Sequence, residues 1–494
     1  MNQATRRLKL EDLAMSHHYG TLPEHFFHRT DPMPLPDPEV ISINPLAAEL
    51  LQLDLCSLNP DFLAQIMGGH KLLPGSAPLA MKYAGHQFGM YNPQLGDGRG
   101  LLLGEQEIDG QLWDWHLKGA GQTRYSRSGD GRAVLRSSIR EYLVGEALIA
   151  LGIPSTRALA VCVTGQKVRR EMVEKAATIV RVTPCHIRFG HFEHFYYTRQ
   201  KEALQQLVDY SIQRYFPECQ DSEQPYLAMF DRVVELNASM VAGWQAYGFL
   251  HGVMNTDNMS LIGETFDHGP FAFIDRWKED AVYNHTDETG RYAFDQQPDI
   301  IHWNLSALAQ ALTPLEPVDD LKKVLARFPR RFKAAWLNRM RQRLGLFTEQ
   351  PDDENFIKEW RSLLAQYEMD FNPLYRALSL AQSESDQPNT ELDETELLLW
   401  RNELSEWLPK YQQRLALETC SARQRRDAML AVNPVYTLRT HIAQHIIRAA
   451  EQGDYEPLNQ WLHVVQHPYQ EHDGFDSWKR APQDGGFVML SCSS

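Results

Sequence analysis

The residue types best suited to chemistry are concentrated between Phe249 and Asp275, FLHGVMNTDNMSLIGETFDHGPFAFID. Asp257, Asn258 and Asp267 lie here. They offer hard oxygen donors of the kind that hold Mg2+ or Mn2+ together with phosphate groups. A carboxylate in such a place can also take the proton of an attacking hydroxyl. The competing reading is an Asx-rich loop whose side chains serve turns and caps. An apolar helical run precedes the stretch and the strand-like PFAFID closes it. A polar loop fixed between two buried elements favours the chemical reading.

Phosphotransferase loops of the pattern H-R-D-x-x-x-x-N space a proton-accepting Asp and a metal-binding Asn in one loop, with a second metal-binding Asp in a following D-F-G turn. Aligned on His251, this chain has Val253 at the base position and Asn258 at the metal position, and Asp267 of FDHG stands for the second ligand. Asp257 is a replacement carboxylate beside Asn258.

Other segments could handle phosphate. LGDGRG brings Gly96, Gly98 and Arg99 together, and glycine lets a backbone N–H approach an anion closely. Lys118 ends the strand-like WHLKGAG about twenty residues later, at the spacing of a phosphate-pairing lysine. The next helical stretch carries Glu141 and Glu146, either of which could pair with that lysine, and helical projection leaves the choice open. SGDGRAV places Asp130 and Gly131 before a helix start, as an anion-binding turn or as a helix cap. Arg181 and Arg188 stand seven apart in the strand-like TIVRVTPCHIRFG. There a guanidinium needs either an anion or a salt bridge. His186, His191 and His194 lack cysteine partners and a common helical spacing, which argues against a zinc site.

The elements that must position these residues follow from pattern. Residues 20–80 are rich in proline and short apolar runs, and 1–80 read as an irregular N-terminal wrap. Residues 81–198 are strand-rich, with a hairpin turning at a DG pair and one amphipathic helix ended by Gly152 and Pro154. Residues 199–494 are mainly helical and contain the 251–275 loop, and AMFDRVVELNASMVAGWQAYGFL delivers the chain into it. The segment AQSESDQPNTELDETELLLW reads as an acidic loop leading into another helix. This is an α+β pattern of two lobes with a cleft between them. A net charge of −15 over 494 residues argues against nucleic acid or an anionic membrane as partner. Six scattered cysteines without CxxC spacing suit a reducing compartment. No apolar run approaches the ~18 residues of a membrane span, and the N-terminus shows no signal core. The expectation is a cytoplasmic protein.

These blocks, from KYAGHQFGMYNPQLGDGRG through LKGAGQTRYSRSGDGRAVLRSSIREYL and HGVMNTDNMS to NHTDETGRYAFDQQP and the terminal SCSS, resemble the selenoprotein O (YdiU) family of protein adenylyltransferases. The resemblance implies a protein-kinase-like fold and ATP bound in a flipped orientation. AMP would then pass to Ser, Thr or Tyr hydroxyls of proteins and pyrophosphate would leave. It assigns Gly96, Gly98 and Arg99 to one nucleotide-binding loop and Asp130 and Gly131 to another. Lys118 would pair with Glu141, and Arg181 and Arg188 would form the phosphate pocket. Asp257 would accept the proton, Asn258 and Asp267 would ligate Mg2+ or Mn2+, and Asp267 would also face the nucleotide. Some family members carry selenocysteine near the C-terminus, where this chain has Cys492. Members often have a cysteine before the NH(S/T)D block, where this chain has Tyr283, so a disulfide between that loop and the tail is not expected.

Three alternatives stand beside AMP transfer: UMP transfer from UTP, especially with Mn2+; an ATP-binding pseudokinase scaffold; and a small-molecule kinase, suggested by the His251-Gly252 pair. Lys118, Asn258 and Asp267 argue against a silent scaffold, and Val253 against a kinase.

Overall fold

The computed structural model describes residues 7–381, 404–482 and Leu490. Its centre is an eight-stranded antiparallel sheet. The strands are β1 (Phe27–Arg29), β2 (Glu39–Ile43), β3 (Leu79–Met81), β6 (Gly100–Ile108), β7 (Gln111–Lys118), β8 (Ala133–Val134), β9 (Arg157–Arg169) and β10 (Val173–Thr183). Their order is β1-β3-β6-β7-β10-β9-β2, with β8 also paired to β10. A separate hairpin joins β4 (Gly85–Gln87) to β5 (Met90–Asn92). The described part of the segment expected as an irregular wrap, residues 7–80, is more regular than its prolines suggest. It supplies both edge strands, β1 and β2, and two short helices, α1 (Pro45–Leu50) and α2 (Pro60–Met67). Asn44 and Asn59 cap those helices, each just ahead of a proline at the first helical position, so the prolines here start helices.

Alternation along the strands builds two cores. In β10, Ile179 faces one side while Val180 and Val182 face the other. Leu102 of β6 is likewise separated from Leu101 and Leu103, as a period of two requires. One face packs with Ala47, Leu63 and Ile66 of α1 and α2. The other covers α3 (Leu135–Ala150) and merges with the large helical core. The expected hairpin turn is Asp109–Gly110, between Ile108 and Gln111 of the β6–β7 ladder. Both turn residues have positive φ, 51° and 78°, which suits Asp-Gly at a tight hairpin.

The helical part includes α4 (Phe189–Tyr197), α5 (Lys201–Tyr215), α6 (Pro225–Tyr247), α7 (Gln297–Leu312), α8 (Val318–Leu325) and α9 (Phe328–Arg343). Further helices run from Asp353 to Gln466. The acidic segment expected as a loop, 382–400, lies outside the described residues. α6 is nearly all buried on its C-terminal half and stops at Gly248, whose φ is 71°. β11 (Phe249–Leu250) follows and pairs with β12 (Ala272–Phe273). The chain between these strands is the loop singled out above. Its backbone is clamped by side chains. Gln297 accepts from His251 N and donates to Phe249 O, each at 2.9 Å. Asn304 donates to Met254 O at 3.0 Å and Asn284 to Gly252 O at 3.1 Å. No helix among the described residues is long and apolar enough to cross a membrane.

Candidate active site

The sheet and the 251–275 loop face each other across a cleft of about 750 Å3. Of the residues singled out from sequence, Gly96, Gly98, Arg99, Lys118, Asp130, Gly131, Arg181, Arg188, Asp257, Asn258 and Asp267 all line it. Glu141 lies just behind the wall. Its carboxylate receives Lys118 Nζ on Oε2, and Arg181 Nε donates to Oε1 at 2.8 Å. Glu146 is occupied elsewhere. Arg157 donates to it through two nitrogens at 2.7 and 2.6 Å, and Gln466 adds a third bond at 2.9 Å. The partner of Lys118, open on helical projection alone, is therefore Glu141.

Asp267 is the second anionic centre. Arg181 Nη2 lies 2.6 Å from its Oδ1, Arg188 Nη1 3.2 Å from its Oδ2, and Lys118 Nζ 3.7 Å from Oδ1. Both guanidinium carbons sit 4.5 Å from the Phe266 ring centre. Burial would push both carboxyls up, but the cations prevail. Arg181 and Lys118 bring Glu141 down to about 2, and Arg181, Arg188 and Lys118 hold Asp267 well below the usual carboxylate range. Asp267 has φ 54°, an uncommon backbone for a non-glycine residue. Such strain persists where surroundings over-determine it, and three cations converging on this side chain are such surroundings.

Arg188 corrects one expectation. It is not in a strand. β10 ends at Thr183, and Arg188 precedes the first residue of α4. There its side chain meets Tyr83 Oη at 2.6 Å and reaches Asp97 Oδ1 at 3.6 Å. Asp97, inside LGDGRG, was not singled out. It is buried, accepts from Met81 N at 3.0 Å and from Tyr83 Oη at 3.3 Å, and lies 3.4 Å from His116 Nε2. Its position between Gly96 and Gly98 is the only signal the sequence offers for it. Asp130 is not a helix cap: α3 begins after Val134 with no side-chain cap. Instead Asp130 takes two bonds of 2.8 Å from Arg170 and one of 2.9 Å from Arg132 N. Gly131 has φ 70°, and a Cβ there would lie 2.1 Å from the Gly121 carbonyl, so this turn admits only glycine.

His186, His191 and His194 do not converge. His186 is paired with Asp114 at 2.9 Å and His191 accepts from Arg188 N at 3.0 Å. Among the described residues no group of three metal-ligating His, Cys, Asp or Glu side chains occurs. A hard divalent cation carrying phosphates needs fewer protein donors, and Asn258 with Asp267 fits that need. Asn258 Nδ2 donates to Val253 O at 3.0 Å, which leaves the amide oxygen for a cation. Asp267 is held ionised.

Asp257 lies in a single 3-10 turn, Thr256–Asn258, and is 8% exposed. Burial pushes its carboxyl up to about 7, against the pull of Arg188. Val253 is also buried in the cleft wall. Tyr283 is buried, and Leu490 N donates to its carbonyl at 2.9 Å. Cys492 lies outside the described residues.

Arg99, Lys118, Arg181 and Arg188, the oxygens of Asn258 and Asp267, and the raised carboxyl of Asp257 are thus gathered around one cleft, as at sites that handle anionic groups. The chain matches the model of the protein adenylyltransferase SelO family over residues 9–466. It is 48% identical over 489 residues to the protein nucleotidyltransferase YdiU of Hahella chejuensis, covering 98% of this chain and 99% of that protein. The proteins of the same name from Chromohalobacter salexigens and Pseudomonas aeruginosa are each 46% identical, over 99% and 98% of this chain and 99% of each relative. The chain belongs to the SelO family and is a nucleotidyltransferase.

Proposed function

We propose that the cleft transfers AMP from ATP to Ser, Thr or Tyr hydroxyls of cytoplasmic proteins and releases pyrophosphate. The scaffold is a kinase-like pair of lobes, 81–198 strand-rich and 199–494 helical, with 1–80 bound to the first. One observation carries this reading: Val253 occupies the position of a phosphotransferase base, while the Asp257 carboxyl, on the same loop, is poised near neutrality. A base displaced in this way suits a different phosphorus atom in the reacting position.

In the reaction, the acceptor oxygen bonds to the α-phosphorus and the bond from that phosphorus to the bridging oxygen of the β-phosphate breaks. The hydroxyl proton passes to Asp257, a role contributing about 10²–10⁴-fold. Pyrophosphate leaves with the bond's electron pair. Lys118, Arg181 and Arg188 neutralise that developing charge, and Arg99 with the turn at Asp130 and Gly131 binds the rest of the nucleotide. Asn258 and Asp267 would hold Mg2+ or Mn2+, which supplies further charge neutralisation on the phosphates. Mass spectrometry of a protein acceptor incubated with equal ATP and UTP, with each metal, tests the reading. The expected product carries AMP on a hydroxyl. A product carrying UMP under every condition, or phosphate alone, overturns it.

A further inference from the structure

The hairpin β4–β5 is not accounted for by nucleotide handling, yet it is packed onto the loop that holds Asp257. Three consecutive hairpin residues reach three consecutive loop residues. His86 N donates to Thr256 Oγ1 at 2.7 Å, Gln87 Nε2 to Asp257 Oδ2 at 3.2 Å, and Phe88 N to Asn255 Oδ1 at 3.1 Å. Tyr292 Oη ties the same Asn255 oxygen at 2.7 Å. Gly85 begins the hairpin directly against the carboxylate. A Cβ there would lie 3.0 Å from both Asp257 Oδ1 and Thr256 Oγ1. That oxygen, Oδ1, is buried and makes no hydrogen bond to another residue. Gln87 lines the cleft and Gly85 does not, and Oδ2 is the oxygen that Gln87 holds.

We propose that Gln87 is a positioning residue for Asp257: its amide N–H fixes the rotation of the carboxylate so that Oδ2 faces the acceptor hydroxyl. Its own orientation is set one step further out. Asn92 Nδ2 donates to Gln87 Oε1 at 3.3 Å, which turns the Gln87 NH2 towards Asp257. Asn92, Gln87 and Asp257 thus form a chain with one direction of donation. A carboxylate is an acceptor only, so a wrongly turned Gln87 would set oxygen against oxygen. This inference rests on Asp257 being the proton acceptor, and it adds a specific requirement for a donor at position 87.

The test uses the full-length protein and three variants, with transfer rate, KM for ATP, nucleotide affinity and Tm measured together. Gln87→Met keeps the approximate length of the side chain and removes its amide, so that both the donor to Asp257 and the acceptor for Asn92 are lost. The expected result is a kcat about ten- to a hundredfold lower, the size of one charge-assisted hydrogen bond, with KM for ATP changed by less than about threefold. Asn92→Asp should give a similar loss, because the new carboxylate turns the Gln87 amide and points its oxygen at Asp257. Asp257→Ala is the reference. If Gln87→Met and Asn92→Asp keep wild-type kcat while Asp257→Ala is inactive, the positioning role is overturned and the base assignment stands. If Asp257→Ala keeps the wild-type rate, the base assignment fails as well. Equal losses in kcat and nucleotide affinity, or a fall in Tm that accounts for the lost rate, would mark Gln87 as structural and overturn the proposal.

Discussion

Glu141 and Glu146 lie five residues apart on one buried helix, and each accepts hydrogen bonds from an arginine. Their replacement should separate stability from catalysis. In Glu141→Gln, Lys118 and Arg181 lose one of the two carboxylates that face them and keep only Asp267. The carboxyl's drop from an ordinary 4.5 to about 2 corresponds to roughly 3 kcal/mol of stabilisation. Breaking a buried pair costs about 3–5 kcal/mol by experience elsewhere, so the two routes agree. The folded-state value is depressed, so this stabilisation is complete above the unfolded value and is lost as pH falls through about 2. At pH 7 Glu141→Gln should therefore lose the full amount. Glu146→Gln breaks a buried bidentate pair with Arg157 and should lose a comparable ~3 kcal/mol. Urea unfolding followed by the fluorescence of buried tryptophans such as Trp115 and Trp244 measures both. The transfer rates should then diverge. Glu141→Gln releases the lysine facing the phosphates and should slow transfer by about a hundredfold, whereas Glu146→Gln should leave the folded enzyme within about threefold of wild type. A loss below about 1 kcal/mol in Glu141→Gln, or equal rate losses in both variants, would refute the reasoning.

Other outcomes follow from the same geometry. Transfer should fall about tenfold per pH unit below roughly pH 7 as Asp257 takes up a proton; a rate flat down to pH 5.5 at constant nucleotide saturation would contradict this, as checked by the pH–rate profile. Gly131→Ala should cost more than about 2 kcal/mol and weaken nucleotide binding, since its Cβ meets the Gly121 carbonyl. Gly152→Ala, at φ 71° but with open space around it, should cost only about 1 kcal/mol from backbone strain; thermal melts of the two compare them. Chelation by EDTA should stop transfer, with activity restored by Mg2+ or Mn2+. Restoration in Asp267→Ala at the wild-type metal concentration would show that the cation is held elsewhere.

Much of the site was legible because its residues are local in sequence. The loop between β11 and β12 carries its own spacing, the DG turn its own conformational preference, and α6 its unbroken apolar face. What could not be read depended on long-range placement. Glu141 and Glu146 project differently, but only the sheet's position relative to α3 decides which one meets Lys118. The proline-rich start concealed β1 and β2 because edge strands of three and five residues are fixed by their neighbours, with little periodicity of their own. Arg188 sits among apolar residues that resemble a strand, yet the chain leaves the sheet after Thr183 and turns into α4. Asp97 and Gln87 act through partners 91 and 170 residues away in sequence: Arg188, and Asp257. No local pattern encodes such contacts.

The central claim is that the α-phosphorus of ATP, not the γ-phosphorus, faces the acceptor. It is tested most directly by parallel reactions with α-³²P-ATP and γ-³²P-ATP on one protein acceptor, with Asp267→Ala as the control. Label on protein from the α-position alone, absent in the control, is the predicted result. Label arriving from the γ-position would mean that the loop transfers phosphate despite Val253, and the role given to Asp257 would fall.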